Sequence, residues 1–66
     1  MELLATYMLD DAGEAFNVFY FCTDDHRKIF KNVYYPRDVF KDGTDCDAIP
    51  GTVCDHCGKE LIAEAN

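Results

Sequence analysis

The sequence predicts a small α+β domain in which an N-terminal β-hairpin is followed by one α-helix and a C-terminal knuckle. Three observations carry that prediction. Two stretches rich in β-formers, Leu3 to Leu9 and Phe16 to Cys22, are separated by the turn-rich run DDAGE. A Thr-Asp-Asp cap then opens a segment with helical spacing, and the last part of the chain holds a Cys-x-x-Cys-Gly turn. At 66 residues this is read as one domain, 1–66. A domain of this size buries only about 60% of the surface its unfolded chain exposes, so some covalent or metal staple is expected beside the core.

In the first strand Leu3, Ala5, Tyr7 and Leu9 alternate with Glu2, Leu4, Thr6 and Met8. Alternation of period two predicts one buried face, here the first set, and a mixed second face. The second strand, FNVFYFC, has β-formers on both faces and is expected to pair with the first as a hairpin. Phe16, Val18, Tyr20 and Cys22 would share one of its faces.

Thr23 followed by Asp24 and Asp25 has the chemistry of a helix start. The hydroxyl caps an orphan backbone N–H, and the two carboxylates meet the positive end of the helix dipole. His26, Ile29, Phe30 and Val33 then recur at i, i+3, i+4 and i+7, which predicts the buried stripe. Pro36 disfavours helical geometry at Tyr35 and should end the helix. Beyond Arg37 the pattern weakens: DVF reads as a short strand, and KDGTDCDAIPGT has the Gly, Pro and Asp density of a loop.

The formal charge is −7, from 13 acids against 6 bases. That argues against a phosphate-binding surface, which needs clustered Lys and Arg, so direct nucleic-acid binding is not expected and a protein partner, a basic one before DNA, is. An apolar fraction of 48% with four Tyr and five Phe argues for a folded chain rather than a disordered one. No stretch is apolar for the roughly 18 residues of a membrane span. The start MELLATYMLD carries acids where a secretory signal has bases, so an intracellular, cytoplasmic protein is expected. In a reducing compartment four cysteines read as metal ligands or reactive thiols before disulfides.

Cys54 and Cys57, followed by Gly58, form a turn suited to aiming two thiolates at one ion. The second pair is Cys22, at the end of the second strand, and His26, in the first helical turn. Their Cys-x-x-x-His spacing fits zinc, so the expected site is Cys22, His26, Cys54 and Cys57 around one structural Zn2+ per chain. Cys46, in an acidic loop, is the rival of His26 for the fourth position. Other readings stand beside these: a reduced or redox pair for Cys54 and Cys57, a core thiol for Cys22, and a core or capping residue for His26. His56, between the knuckle cysteines, is expected at the surface. Asp42, Asp45 and Asp47 miss the calcium-loop spacing and read as a solvated turn.

YFCTDDHRKIF resembles the strand, turn and helix half of the TRASH, YHS and MYM-type zinc fingers, through Phe21, Cys22, Thr23 and Phe30, with His26 where those have a second cysteine. CDHCGKEL resembles their Cys-x-x-Cys-Gly knuckle, with the two halves in permuted order. The resemblance covers about a third of the chain and implies a treble-clef-like finger with metal-dependent folding, used in protein interaction or metal sensing.

No nucleophile beside a base stands out, and four protein ligands leave the metal no open position, so no enzyme is expected. The sequence thus points to a small acidic zinc-stapled interaction or regulatory module. Tyr34, Tyr35 and Arg37 are its candidate partner-facing residues, unless one tyrosine caps the core. Two alternatives are an acidic nucleic-acid mimic filling the basic groove of a target, as phage or mobile-element inhibitors do, and a metal carrier or redox protein using Cys46. The oligomeric state is open, and an exposed hairpin edge could pair two copies.

Overall fold

A computed structural model describes residues 2–35 and 39–63. Strands β1 (Leu3–Leu9) and β2 (Ala15–Phe21) form the expected hairpin, helix α1 (Asp24–Tyr34) follows, and a third strand, β3 (Phe40–Asp45), completes an antiparallel sheet of order β2-β1-β3. The fold is α+β, with one sheet covered on one side by one helix.

The hairpin turn is held by the Asp10 carboxylate, which accepts from the backbone N–H of Ala12 and of Glu14, both at 2.9 Å. This frees the chain to reverse without a further strand pair. The register slips between Met8 and Leu9, and the extra residue, Phe16, is left outside the ladder and 61% exposed. The outer edge of β2 is closed to pairing at two places. Val18 N–H donates to the Asn17 side chain at 2.9 Å, and Tyr20 is bonded through both backbone groups to Asp55 of the knuckle. The hairpin edge expected to pair two copies is therefore satisfied within the chain along that stretch.

β3 corrects the reading of residues 41–45 as loop, while Phe40 belongs to the segment DVF read as a short strand. FKDGTD pairs residue by residue with β1, from Phe40 opposite Met8 to Asp45 opposite Leu3. The Thr6 hydroxyl donates to Asp42 at 2.9 Å, and Lys31 reaches both carboxylate oxygens of Asp42 at 2.8 Å. Burial works against the Asp42 charge, yet the bonds from Lys31 and Thr6 and the nearby Arg27 outweigh it and hold the carboxyl below its ordinary range.

α1 starts as its cap predicts. The Thr23 side chain accepts from His26 N–H at 3.2 Å, and Asp24 and Asp25 fill the first turn. Its buried stripe, however, is rotated from the predicted one. Phe30 is buried, but Ile29 is 45% and Val33 64% exposed, while the Arg27 side chain is only 13% exposed. Arg27 pairs with Asp24 and donates to the carbonyls of Ala5 and Gly43, so a guanidinium fills the place that periodicity assigns to an apolar residue.

The helix covers the face opposite to the one the sequence reading buries, although Leu3 and Ala5 of the predicted buried set are buried as expected. The helix packs on the face of Leu4, Thr6 and Met8, where Phe21, Phe30 and Cys54 form a cluster joined by Leu4, Phe19, Cys22, Tyr35 and Leu61. On the opposite face Tyr20 reaches from β2 across β1 to donate its hydroxyl to Asp45 at 2.7 Å. Tyr7 lies over Gly43 with a ring carbon 3.7 Å from where a Cβ would stand, and donates to Thr44 O at 3.1 Å. Two tyrosines lying across the small residues Ala5 and Gly43 bury Ala5 completely on the side away from the helix.

Candidate metal centre

The ligand candidates come from two segments that the fold brings together. Cys22 follows β2 directly, and His26 sits one turn into α1, so strand end and cap direct both side chains to one side. The second segment is a small reversed turn. Cys54 N–H donates to Lys59 O at 2.8 Å, Gly58 N–H to Cys54 O at 2.9 Å, and a bridge pairs Val53 with Glu60. Gly58 has φ +81°, a left-handed conformation that glycine adopts without the steric cost other residues incur, and it is what closes the knuckle.

The knuckle is clamped to the sheet by Asp55. Its carboxylate accepts from Tyr20 N–H at 2.7 Å, and its own N–H donates to Tyr20 O at 2.8 Å. In this way the edge of β2 carries the knuckle beside the strand end that bears Cys22.

The outcome is one cluster: a sulfur or ring nitrogen from each of Cys22, His26, Cys54 and Cys57, all within 4.8 Å of one another. Cys22 Sγ lies 3.0 Å from His26 Nδ1 and 3.6 Å from Cys57 Sγ, and Cys54 Sγ lies 3.9 Å from His26 Nδ1. The cysteines are free thiols, with no disulfide among the described residues. These four side chains can hold a metal ion. Cys54 is 1% exposed and belongs to the Phe21–Phe30 cluster, so the site grows out of the core.

The electrostatics of the thiols differ. Burial pushes the Cys54 thiol up, but backbone amides of Cys57, Cys22 and His56, together with the His26 ring, donate toward its sulfur and lower it to about 6. Cys22 is raised above the ordinary cysteine value, by desolvation first and then by its neighbours Cys57 and Cys54. One thiol is thus prepared as a thiolate, while a second keeps its proton until a cation displaces it.

Cys46 lies apart from the cluster. It is exposed, and its sulfur faces only Asp47 Oδ1 at 4.0 Å, so His26 and not Cys46 is the fourth member. Cys46→Ser is expected to leave metal stoichiometry and chelator resistance unchanged; a loss of bound metal in that variant would return Cys46 to the ligand set. Asp55→Ala keeps the backbone bond to Tyr20 but removes the carboxylate, a loss of about 1 kcal/mol. That corresponds to metal retention weaker by roughly fivefold in competition with a chromogenic chelator, and an unchanged competition curve would count against the clamp.

His56 is not the surface residue expected. It is half-buried, its ring centroid is 4.9 Å from that of His26, and its Nδ1 is buried without a hydrogen-bond partner. Of the tyrosine pair, Tyr35 caps the core through ring contacts with Phe19, Phe30 and Phe40, while Tyr34 is 60% exposed and rests on Phe30. Arg37 lies outside the described residues. Among the described residues no helix is long and apolar enough to cross a membrane.

Comparison with protein-family models, with curated proteins and with solved structures gives no match to this chain.

Proposed function

We propose that Cys22, His26, Cys54 and Cys57 hold one structural Zn2+ and that the domain so stapled is a protein-interaction or regulatory module. The observation that carries the reading is the convergence of four soft or borderline donors, two from each of two segments far apart in sequence, within 4.8 Å. A tetrahedral zinc with about 2.3 Å bonds to sulfur and about 2.0 Å to nitrogen has donor–donor edges of about 3.8 Å between sulfurs and about 3.5 Å between sulfur and nitrogen. The separations of 3.6 Å between sulfurs and of 3.0 and 3.9 Å between sulfur and nitrogen scatter about those edges. Thiolate and imidazole favour zinc over magnesium or calcium, which take oxygen ligands.

We read the division of ligands, one pair from a strand–cap–helix unit and one from a Cys-x-x-Cys-Gly turn, as that of a treble-clef-like finger in permuted order. Four protein donors leave no place for a reacting water, so the zinc is a staple and catalysis is not part of the reading. A stapled acidic domain without a reacting centre acts through its surface.

The test is native mass spectrometry of protein purified without added metal, alongside Cys22→Ser, His26→Ala and Cys57→Ser. One zinc per chain, lost or weakened in each variant, is expected. A folded chain carrying no metal, or an equal zinc content in all three variants, would overturn the proposal.

A further inference from the structure

The sheet face turned away from α1 is shaped and charged to receive another molecule. Tyr7 stands near its middle and lines two adjoining cavities. One, of about 280 Å³, is lined by Tyr7, Leu9, Gly13, Ala15 and Lys41. The other, of about 350 Å³, is lined by Tyr7, Ala15, Phe16, Asn17 and Val18. They share Tyr7 and Ala15, so together they form a shallow trough along the β1–β2 hairpin, walled by aliphatic and aromatic side chains, with the exposed Phe16 on its rim.

Both ends of the trough are acidic. The hairpin turn beside Leu9, Gly13 and Ala15 carries the exposed Asp10, Asp11 and Glu14. Beyond the Tyr7 hydroxyl lie Asp45 and Asp47. The Tyr7 proton is held more tightly than usual by burial and then by the negative field of those two carboxylates, and Tyr20, bonded to Asp45, is pushed up to about 12. Lys41 is the single base in either lining.

Two features decide the kind of occupant. Closure of the β2 edge at Val18 and Tyr20 turns a partner at this hairpin toward the face and away from strand addition along β2. A second copy would bring another −7 chain, with its own acids, against the same acidic ends.

We propose that this open face docks a basic, apolar segment of a partner protein, its aliphatic side chains in the trough beside Tyr7 and its Lys or Arg side chains toward Asp45 and Asp47 and toward the Asp10–Glu14 turn. The proposal rests on the interaction-module reading and names its surface and partner chemistry. The half-buried Tyr7 ring, which lines both cavities, adds a cation–π surface for the same basic groups.

The test uses the full zinc-loaded chain, labelled with nitrogen-15, and a short alternating Leu/Lys peptide as probe, with a Leu/Glu peptide of the same length as its control. Amide shifts concentrated at Tyr7, Leu9, Ala15, Val18 and Lys41 are expected with the Leu/Lys peptide alone. Its affinity should fall about tenfold from low to physiological salt. Ala15→Lys and Val18→Lys, at positions outside the helix-covered core, should each weaken binding at least about tenfold, whereas Ile29→Lys, on the outer side of α1, should not.

Shifts that map to Ile29 and Val33, equal binding of the Leu/Glu peptide, or no shifts up to about 1 mM peptide would overturn the docking face and leave the stapled module standing. Concentration-dependent shifts of the same amides without peptide would identify a second copy as the occupant and overturn the proposed partner. An undispersed spectrum of the zinc-loaded chain before peptide is added would instead overturn the module reading and this proposal with it.

Discussion

Stripping zinc from the chain, or replacing Cys54 with Ser, is expected to leave the folded state only a minor population. The buried apolar residues are few among those described: Leu3, Ala5, Met8, Phe21, Phe30 and Cys54. Domains as a class have net stabilities of about 5–15 kcal/mol, and one this small lies toward the low end. Structural zinc contributes about 10–16 kcal/mol at neutral pH, comparable to or larger than that whole margin. Cys54 carries the largest effect because it is both a ligand and a core residue against Phe21 and Phe30, so losing it opens the cluster that seats α1 on the sheet. Far-ultraviolet circular dichroism should show loss of helix and strand signal on addition of a strong chelator and recovery when zinc is returned in excess. A cooperative thermal transition that persists unchanged in chelator would show that the hairpin, α1 and β3 hold without the metal.

Much of this arrangement was legible in the sequence because it rests on local rules. The alternation in β1, the Asp-rich turn, the Thr23 cap and the spacing of the cysteines each depend on neighbouring residues, and each has its counterpart in the structure. The departures share a physical cause, which is that distant partners override local pattern. β3 looked like loop because Gly43 and two aspartates dominate it, yet Gly43 is where the Tyr7 ring comes down, and Asp42 is held by Lys31 and Thr6. The α1 stripe was misphased because Arg27, polar by composition, is taken up by the carbonyls of Ala5 and Gly43, which leaves Ile29 and Val33 outside. His56 turned inward because the knuckle lies against α1, a contact that spacing within CDHC does not encode.

The pH dependence of metal binding should follow from the unequal thiols. Zinc binds thiolates, so every proton a ligand holds in the metal-free cluster must leave when the ion enters. Cys22, raised above 9.0, holds its proton at neutral pH, and its release alone makes zinc affinity fall about tenfold for each pH unit of acidification. In the folded cluster Cys54, lowered to about 6, is already ionised at neutral pH, so zinc entering that cluster displaces no proton from it there. As pH falls through about 6 it takes up a proton too, and the dependence steepens by a further factor of about ten per unit.

For the folded fraction that remains without metal the two signs oppose. The depressed Cys54 contributes stability that is present above the unfolded value of 9.0 and lost as pH falls through about 6. The raised Cys22 contributes stability that is present below 9.0 and lost as pH rises through its folded value. Zinc reverses the Cys22 preference by replacing its proton, so in the metal-bound protein both cysteines favour higher pH, and acid should release the ion and unfold the chain in one step. Competition against a chelator of known protonation, followed from neutral pH down through the Cys54 transition, should give a zinc affinity curve that bends downward near pH 6. A straight line through that region would mean that Cys54 is not ionised ahead of its partners, and that the backbone amides around its sulfur do not prepare the site for the metal.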